Sequence, residues 1–241
     1  MGDWWARRGA AWLTVCMANP VLLLHGFTGS VASTWVPTGI LDLLGEGGVE
    51  VLAWDMPGHG AAEKFHDPAK YADMEANLLD RLPEGQVDAV GFSMGARTIL
   101  AMAAMAPERF GKIVVAGVGR NLFERDEAQS ERIAKGVTGE ADAGDVHAQT
   151  FARYASEPDQ DGQALAAFMR RKHAPLGAAE CARITSSVRV VLGTEDFAGP
   201  ADPLLDALPT ATLTVLKGCD HFATPKNFGF IDAVMDHLEV F

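Results

Sequence analysis

The chain has 241 residues, of which 48% are hydrophobic and 22% charged, and its formal net charge is −12. This length accommodates one large α/β domain with a sizeable core, and the composition is ordinary for a globular protein. The acidic balance argues against nucleic acid or an anionic membrane surface as a partner, because no basic stripe is available to bind phosphate groups.

The first 20 residues carry conflicting signals. Arg7 and Arg8 precede a short apolar run at residues 10–18, which superficially resembles a signal peptide. Asp3 and two early tryptophans do not fit that pattern, and the run is far shorter than the roughly 20 residues that span a bilayer. We therefore treat residues 1–20 as an N-terminal segment of uncertain structure and expect a cytoplasmic protein with no membrane partner.

Short aliphatic runs alternate with helical patterns along the rest of the chain. The runs are too short and too apolar for amphipathic helices, and several are followed directly by glycine or a charged turn. This alternation predicts an α/β fold, with a mostly parallel central sheet and helices on both of its faces. The predicted strands are residues 21–24, 49–54, 87–92, 112–118, 188–192 and 211–216. The predicted helices are residues 36–44, 71–82, 96–106, 201–208 and 228–240.

A long polar stretch interrupts the alternation before the strand at residues 188–192. It holds helical patterns at residues 121–136, 145–156 and 163–172, separated by Thr-Gly and Pro-Asp loop signals. A single crossover helix does not need this length, so we expect a helical lid over the C-terminal edge of the sheet; a disordered loop is the alternative. The predicted domains are a core at residues 21–119 and 186–241 and a lid at residues 120–185.

Residues 91–95 read Gly-Phe-Ser-Met-Gly and join an apolar strand to a run of small helix-forming residues. In that context Ser93 lies on a turn so sharp that its neighbours must be glycines. The turn lifts the hydroxyl above the sheet edge and aims the N-terminus of the next helix at negative charge forming beside it. A five-residue pattern of this kind recurs by chance. It therefore indicates a nucleophile only if a suitable base and acid occur elsewhere in the chain.

A serine nucleophile needs a base, because its hydroxyl is inert at neutral pH until the proton is removed. His221 follows the last predicted strand and precedes the last helix, which makes it the best placed of the seven histidines. Asp196 follows the preceding strand and is the candidate acid that orients the imidazole, with Glu195 and Asp202 as nearby alternatives. The order Ser93, Asp196, His221 differs from both major serine-protease classes.

The turn after the first strand supplies a candidate oxyanion hole. Residues 24–29 read Leu-His-Gly-Phe-Thr-Gly, and the backbone N–H groups of Phe27 and Met94 are the predicted donors. Such donors are required because charge develops on the attacked carbonyl oxygen. We interpret His25 as a support for this turn rather than as a base.

These motifs together resemble the α/β-hydrolase superfamily, in its serine esterase-like branch. The resemblance runs from Val21 to the C-terminus. Members usually carry a β-hairpin before the first core strand, so with only 20 preceding residues we expect that edge to be shortened or built differently. The motifs that carry the resemblance are residues 25–27, the Asp-Met-Pro-Gly-His-Gly sequence of residues 55–60, the elbow at residues 91–95, Gly193-x-x-Asp196, and His221.

Three further residues are candidates for substrate binding. Arg97 lies four residues after Ser93, about one helical turn along the same face. Its guanidinium suits a substrate carboxylate, and the alternative is a structural arginine tied to the sheet or the lid. Trp35 and Phe92 are predicted to line an apolar acyl pocket, although core packing explains aromatic residues equally well.

The resemblance implies a serine hydrolase that cleaves a carboxylic ester, or a thioester or lactone, of a small-molecule substrate. The alternative is a lyase, because residues 25–30, residues 57–60 and Arg97 are similar to the menaquinone-pathway synthases that eliminate pyruvate. Phe92 departs from that pattern, which often has tyrosine before the serine. A non-catalytic ligand receptor on the same fold is a third possibility.

The sequence predicts no cofactor and no metal ion. No His/Asp/Glu cluster has metal-ligand spacing, a P-loop lysine is absent, and residues 117–119 lack the third glycine of a dinucleotide-binding motif. Cys16, Cys181 and Cys219 form no Cys-x-x-Cys pair, so neither a disulfide framework nor a zinc site is indicated. Nothing in the sequence indicates an oligomeric state.

Overall fold

A computed structural model describes residues 18–124, 127–173 and 176–241. In these residues six strands form one sheet in the order β2-β1-β3-β4-β5-β6, and every neighbouring pair is parallel. The predicted α/β fold with a central parallel sheet is confirmed. The strands are β1 (Val21–Leu24), β2 (Val51–Trp54), β3 (Val87–Phe92), β4 (Phe110–Ala116), β5 (Ser187–Gly193) and β6 (Ala211–Leu216).

Helices pack on both faces of the sheet. Successive strand residues point to opposite faces, so Leu22 and Leu24 of β1 join one buried cluster while Val21 and Leu23 join the other. Because both faces are covered, the inner strands contain apolar residues at successive positions, as in β1 and at residues 113–116 of β4. The helices are α1 (Ile40–Glu46), α2 (Met74–Asp80), α3 (Met94–Met105), α4 (Glu127–Val137), α5 (Val146–Ala155), α6 (Gly162–Met169), α7 (Ala178–Cys181), α8 (Asp202–Ala207) and α9 (Phe228–Leu238).

The first predicted helix, residues 36–44, is only partly correct. The chain forms a π-helical turn at Val31–Trp35 and a 3₁₀ turn at Val36–Thr38, and α1 begins only at Ile40. Gly39, between the 3₁₀ turn and α1, has a left-handed φ of 72°. A regular helix cannot pass through that conformation, so the continuous periodicity of the sequence breaks there.

Between β4 and β5 the described residues form α4, α5, α6 and the short α7, a segment we call the insertion. Helices α4 to α6 share a small apolar core that includes Ile133, Phe151 and Leu165, and Phe27 and Phe222 pack against it from the loops above the sheet. The insertion therefore covers the edge of the sheet at which the proposed catalytic residues lie.

The predicted N-terminal segment lies mostly outside the described residues, since residues 1–17 are not among them. That range holds Cys16 and the signal-like run except for Ala18. Within the described ranges, no helix combines the length and the apolar character needed to cross a membrane. Cys181 and Cys219 are both buried free thiols, and burial raises the pKa of Cys181 to about 11.

Candidate active site

The turn between β3 and α3 forces Ser93 into a strained backbone conformation. Its φ is 53° and its ψ is −110°, a region that non-glycine residues rarely adopt. Its backbone N–H donates to the carbonyl of Ala116 at 2.8 Å, which fixes the turn against β4. A Cβ on Gly95 would lie 2.1 Å from the carbonyl oxygen of Leu24, and one on Gly91 would lie 2.6 Å from a backbone nitrogen. The glycines are therefore required by close backbone packing around the serine.

The structure brings Ser93, His221 and Asp196 into one hydrogen-bonded chain. His221 Nδ1 lies 2.9 Å and 3.0 Å from the two carboxylate oxygens of Asp196, and its Nε2 lies 2.9 Å from Ser93 Oγ. An ionised carboxylate only accepts, so Nδ1 carries the proton and Nε2 accepts from the serine hydroxyl. Both His221 and Asp196 are buried.

Asp196 is the carboxylate that contacts His221. Its Oδ1 also accepts the backbone N–H of Ala198 at 2.8 Å, which orients the carboxylate toward the imidazole. The two alternatives considered from the sequence, Glu195 and Asp202, are exposed. A carboxylate that is buried and hydrogen-bonded to the imidazole holds it in one tautomer, as a triad acid must.

The turn that carries Phe27 lies next to Ser93, since a Cβ on Gly26 would be 3.5 Å from Ser93 Cβ. Met94 is the first residue of α3, so its N–H belongs to the helix donors that have no partner within the helix. Phe27 lies in a tight turn closed by a 3.0 Å hydrogen bond from Gly29 N–H to the carbonyl of Gly26. Both residues line the same cleft as Ser93. This arrangement suits the stabilisation of an oxyanion beside the serine.

His25 and His59 support this turn and do not contact Ser93. His25 Nδ1 donates to the carbonyl of Gly26 at 2.8 Å, and its Nε2 accepts the Met56 N–H at 3.0 Å. This pattern requires a neutral ring, and burial lowers the pKa of His25. Burial also lowers the pKa of His59 well below its usual value, and the His59 ring packs 5.4 Å from that of Phe27.

A cleft of about 1140 Å³ opens above Ser93, between the loops of the core and the insertion. The core contributes Phe92 and Arg97 to its wall, while α5 and α6 contribute Phe151 and Phe168. Trp35 was predicted to line this pocket, and that prediction is wrong. Its side chain is fully buried in the cluster on one face of the sheet and stacks on Phe230 of α9.

Arg97 lines the cleft and also has a structural contact. Its Nη2 donates to the backbone carbonyl of Asn121 at 2.9 Å, close to the start of the insertion. A guanidinium carries five N–H donors, so a bond to the backbone does not by itself exclude contact with a ligand. The structure thus shows a structural contact for Arg97, and its binding of a substrate carboxylate stays a prediction.

Aromatic side chains surround the imidazole of His221. The ring centroid of Phe197 lies 4.2 Å from that of His221, Phe92 lies 5.0 Å away, and Phe222 lies edge-on at 5.4 Å. Phe197 and Phe222 were not singled out from the sequence. The available signal was their position, since each directly follows a candidate triad residue.

Comparison with known proteins assigns the chain to a family. The family model described as "Alpha/beta hydrolase family" matches residues 21–229. The chain belongs to the alpha/beta hydrolase family. It is accordingly an enzyme of the α/β-hydrolase class, as the motifs around Ser93 and His221 predicted.

One curated relative from Escherichia coli strain K12 is named 2-hydroxy-6-oxononadienedioate/2-hydroxy-6-oxononatrienedioate hydrolase. It is 34% identical over 104 residues, and the match covers 41% of this chain and 36% of that enzyme. The chain thus spans little more than a third of the length of this relative.

Two solved structures share the fold. The 2-hydroxy-6-oxo-6-phenylhexa-2,4-dienoate hydrolase from Rhodococcus sp. strain RHA1 has a TM-score of 0.61 at 22% identity, covering 92% of this chain and 91% of that one. A structure from a study of carboxylesterases of Nitrososphaera gargenis has a TM-score of 0.70 at 18% identity, covering 92% of this chain and 90% of that one. At these identities the likeness concerns the fold alone.

Proposed function

We propose that this hydrolase cleaves a carboxylic ester, or a related thioester or lactone, through an acyl-enzyme on Ser93. The observation that carries the proposal is the 2.9 Å contact between Ser93 Oγ and His221 Nε2, with Asp196 on the other side of the ring. The strained elbow presents the hydroxyl to the cleft, and the two flanking N–H groups suit an oxyanion.

In the first half of the reaction, His221 Nε2 takes the proton of Ser93 Oγ as the oxygen attacks the substrate carbonyl. A bond forms between Oγ and the carbonyl carbon, and the carbonyl electron pair moves to its oxygen, beside the N–H groups of Phe27 and Met94. The imidazolium is stabilised by Asp196, which holds the ring through Nδ1–H without taking a proton. When the oxyanion collapses, the bond to the leaving group breaks and Nε2 gives that group its proton.

In the second half, water replaces the alcohol. His221 removes a proton from the water as it attacks the acyl carbon, and then returns a proton to Ser93 Oγ as the carboxylic acid leaves. The balance is one water consumed and one ester converted to an acid and an alcohol, with no redox change. No group beyond the three side chains and the two backbone donors is needed.

We propose that residues 120–185 act as a lid over this site. Within the described part of that range, α5 and α6 supply Phe151 and Phe168 to the cleft wall. A side-chain ion pair between Arg171 and Glu75 of α2, with an N–O distance of 2.9 Å, ties the insertion to the core. Such a cover excludes water from the acyl-enzyme until the alcohol has left.

A substrate that carries a carboxylate is the second part of the proposal. Arg97 lines the cleft one helical turn from Ser93, and a guanidinium recognises a carboxylate with two parallel hydrogen bonds. The Escherichia coli relative is named for a dioate substrate. The lyase alternative has no support from the comparisons, because the relatives and structures named above are hydrolytic enzymes.

Turnover of p-nitrophenyl butyrate by the Ser93→Ala variant tests the proposal. We expect kcat to fall about 10⁴-fold or more, because the nucleophile is lost. Ser187→Ala is the matched control, since Ser187 is exposed at the opposite end of β5 from Asp196. Ester hydrolysis that persists in Ser93→Ala at the rate of the control contradicts the proposed function.

A further inference from the structure

Phe197 is an apolar side chain that lies exposed inside the cleft. It is 47% exposed although it directly follows the buried Asp196, and its ring faces the imidazole of His221. The two ring centroids are 4.2 Å apart with an interplanar angle of 34°. Phe92 lies farther from the imidazole, at 5.0 Å and 41°. Among the described residues, Phe197 is thus the phenylalanine ring nearest to the proposed base.

The backbone on either side of Phe197 is tightly held. Asp196 N–H donates to the carbonyl of Gly193, and the carbonyl of Asp196 accepts the N–H of Gly199, each at 3.2 Å. The Asp196 carboxylate also accepts the Ala198 N–H at 2.8 Å. The ring can leave the imidazole only by rotation of its own side chain, because the turn that carries it is pinned.

The insertion also packs against this ring. His147 of α5 lies edge-on to Phe197, with centroids 5.3 Å apart and an interplanar angle of 80°. His147 also contacts Phe151 one turn later on the same helix, at 5.1 Å. A helix in the insertion therefore restricts the rotation that would carry Phe197 away from His221.

The face of an aromatic ring attracts a cation within about 6 Å of its centroid. In the proposed mechanism His221 is neutral before attack and positively charged while the tetrahedral intermediate exists. The ring of Phe197 therefore interacts more favourably with the charged form, which is the form present at the top of the barrier. An aliphatic side chain of similar size provides the same cover without this attraction.

We propose that Phe197 is a positioning residue for His221: it holds the imidazole toward Ser93 Oγ and stabilises its charged form, while His147 of α5 holds the ring in place. This inference rests on the proposed function. It assigns to the insertion a part in the reaction beyond forming the wall of the cleft, because His147 acts on the base through Phe197.

The test compares Phe197→Leu with Phe197→Tyr on p-nitrophenyl butyrate across pH 5 to 9. Leucine retains an apolar cover and tyrosine retains the ring. We expect Phe197→Leu to lower kcat about two- to fivefold with KM nearly unchanged, because the cation attraction is lost only when His221 is charged. Phe197→Tyr should stay close to wild type.

The pH profile distinguishes this role from simple packing. Among the described titratable side chains, the Asp196 carboxylate bonds to the imidazole and His147 of the insertion contacts Phe197. Activity requires neutral His221, so removing a group that favours its charged form moves the acid limb of kcat/KM to lower pH. We expect the acid limb of Phe197→Leu to move by about half a pH unit. This corresponds to a change of about threefold in the equilibrium constant between the charged and neutral forms.

Two further variants complete the test. His147→Ala should shift kcat and the acid limb in the same direction as Phe197→Leu, by a smaller amount. Phe228→Leu is the matched control, because Phe228 is 83% exposed at the start of α9, and it should change neither quantity. Thermal unfolding of each variant checks that it is folded.

Two outcomes overturn the inference. In one, Phe197→Leu matches wild type in both kcat and the acid limb. In the other, it raises KM alone, which would make Phe197 a substrate contact. Both leave the proposed function intact as long as Ser93→Ala is inactive, whereas an active Ser93→Ala variant contradicts the proposed function itself.

Discussion

The sheet edge that carries Ser93 and the insertion that covers it are specified in different ways. At the edge, backbone packs on backbone: a Cβ on Gly95 would lie 2.1 Å from the carbonyl of Leu24. In the insertion, the helices meet largely through side chains such as Ile133 and Leu165, with close backbone contacts at Gly136 and Gly162. Backbone contacts tolerate one residue type, whereas apolar side-chain contacts tolerate many of similar volume. Backbone contacts at the edge therefore fix the position of Ser93, whereas side chains of the insertion form part of the wall of the cleft.

The largest effect is expected at the edge, in Asp196→Asn. The substitution retains the volume but presents an amide to Nδ1, which favours the wrong imidazole tautomer. We expect kcat for p-nitrophenyl butyrate to fall about 10⁴-fold, as for the equivalent change in a serine protease. Asp202→Asn is the control, because Asp202 is exposed. Equal losses in the two variants would show that the acid has been misassigned.

The second effect concerns the elbow backbone. Gly95→Ala forces a methyl group against the carbonyl of Leu24, and neither backbone segment can move without displacing β1 or α3. We expect a loss of about 3 kcal/mol or more in the free energy of unfolding, at the upper end of overpacking costs, measured by urea denaturation.

Gly45→Ala provides the comparison for the elbow variant. A Cβ at Gly45 of α1 meets nothing within 4 Å, so alanine there should leave stability unchanged or raise it by about 0.5–1 kcal/mol. If Gly95→Ala were as stable as Gly45→Ala, the close packing described for the elbow would be wrong.

The third effect concerns the ion pair that connects the insertion to the core. Arg171 and Glu75 form an ion pair in which the side chains are only 7% and 16% exposed. We expect Glu75→Ala to cost about 3 kcal/mol, because removing one partner of a buried pair leaves a charge in a poorly solvated place. The unfolding free energy from urea denaturation is the measurement.

An exposed ion pair within the insertion serves as the control for the ion pair between Arg171 and Glu75. Arg170 and Glu131 are 41% and 45% exposed, and their hydrogen bonds lower the pKa of Glu131. Solvent screens such a pair, so Glu131→Ala should cost less than about 1 kcal/mol. Costs of similar size in both variants would mean that the insertion is not anchored to the core through Glu75.

The smallest effect concerns recognition by Arg97. Arg97→Ala should raise KM about tenfold for p-nitrophenyl hemisuccinate, whose acyl chain ends in a carboxylate, because a charged hydrogen bond is lost. KM for p-nitrophenyl butyrate, which lacks the carboxylate, should change little. An equal change for both esters would assign Arg97 a structural role through its bond to Asn121.

The fold and the proposed triad could be predicted from the sequence because local patterns determine them. The glycines around Ser93 signal a turn that only they permit, and the run of short apolar segments signals a sheet buried on both faces. Asp196 and His221 could be placed because each follows a predicted strand, and parallel strands bring those positions to one edge.

Other features were not predictable because long-range packing decides them. Trp35 lies beyond the same turn as Phe27, yet the π-helical turn directs it into the core against Phe230. Phe197 has no sequence pattern of its own, and its importance emerges only when His147 is brought from the insertion. The wall of the cleft is formed by side chains whose spacing in the sequence does not show whether they face the cleft or the core.

The central claim is that Ser93 is a nucleophile activated by His221. The most direct measurement is reaction with a fluorophosphonate probe, followed by intact mass and peptide mapping. We expect a single covalent adduct on Ser93, and none in Ser93→Ala. An adduct on another residue, or no adduct in the folded wild-type protein, would contradict the claim.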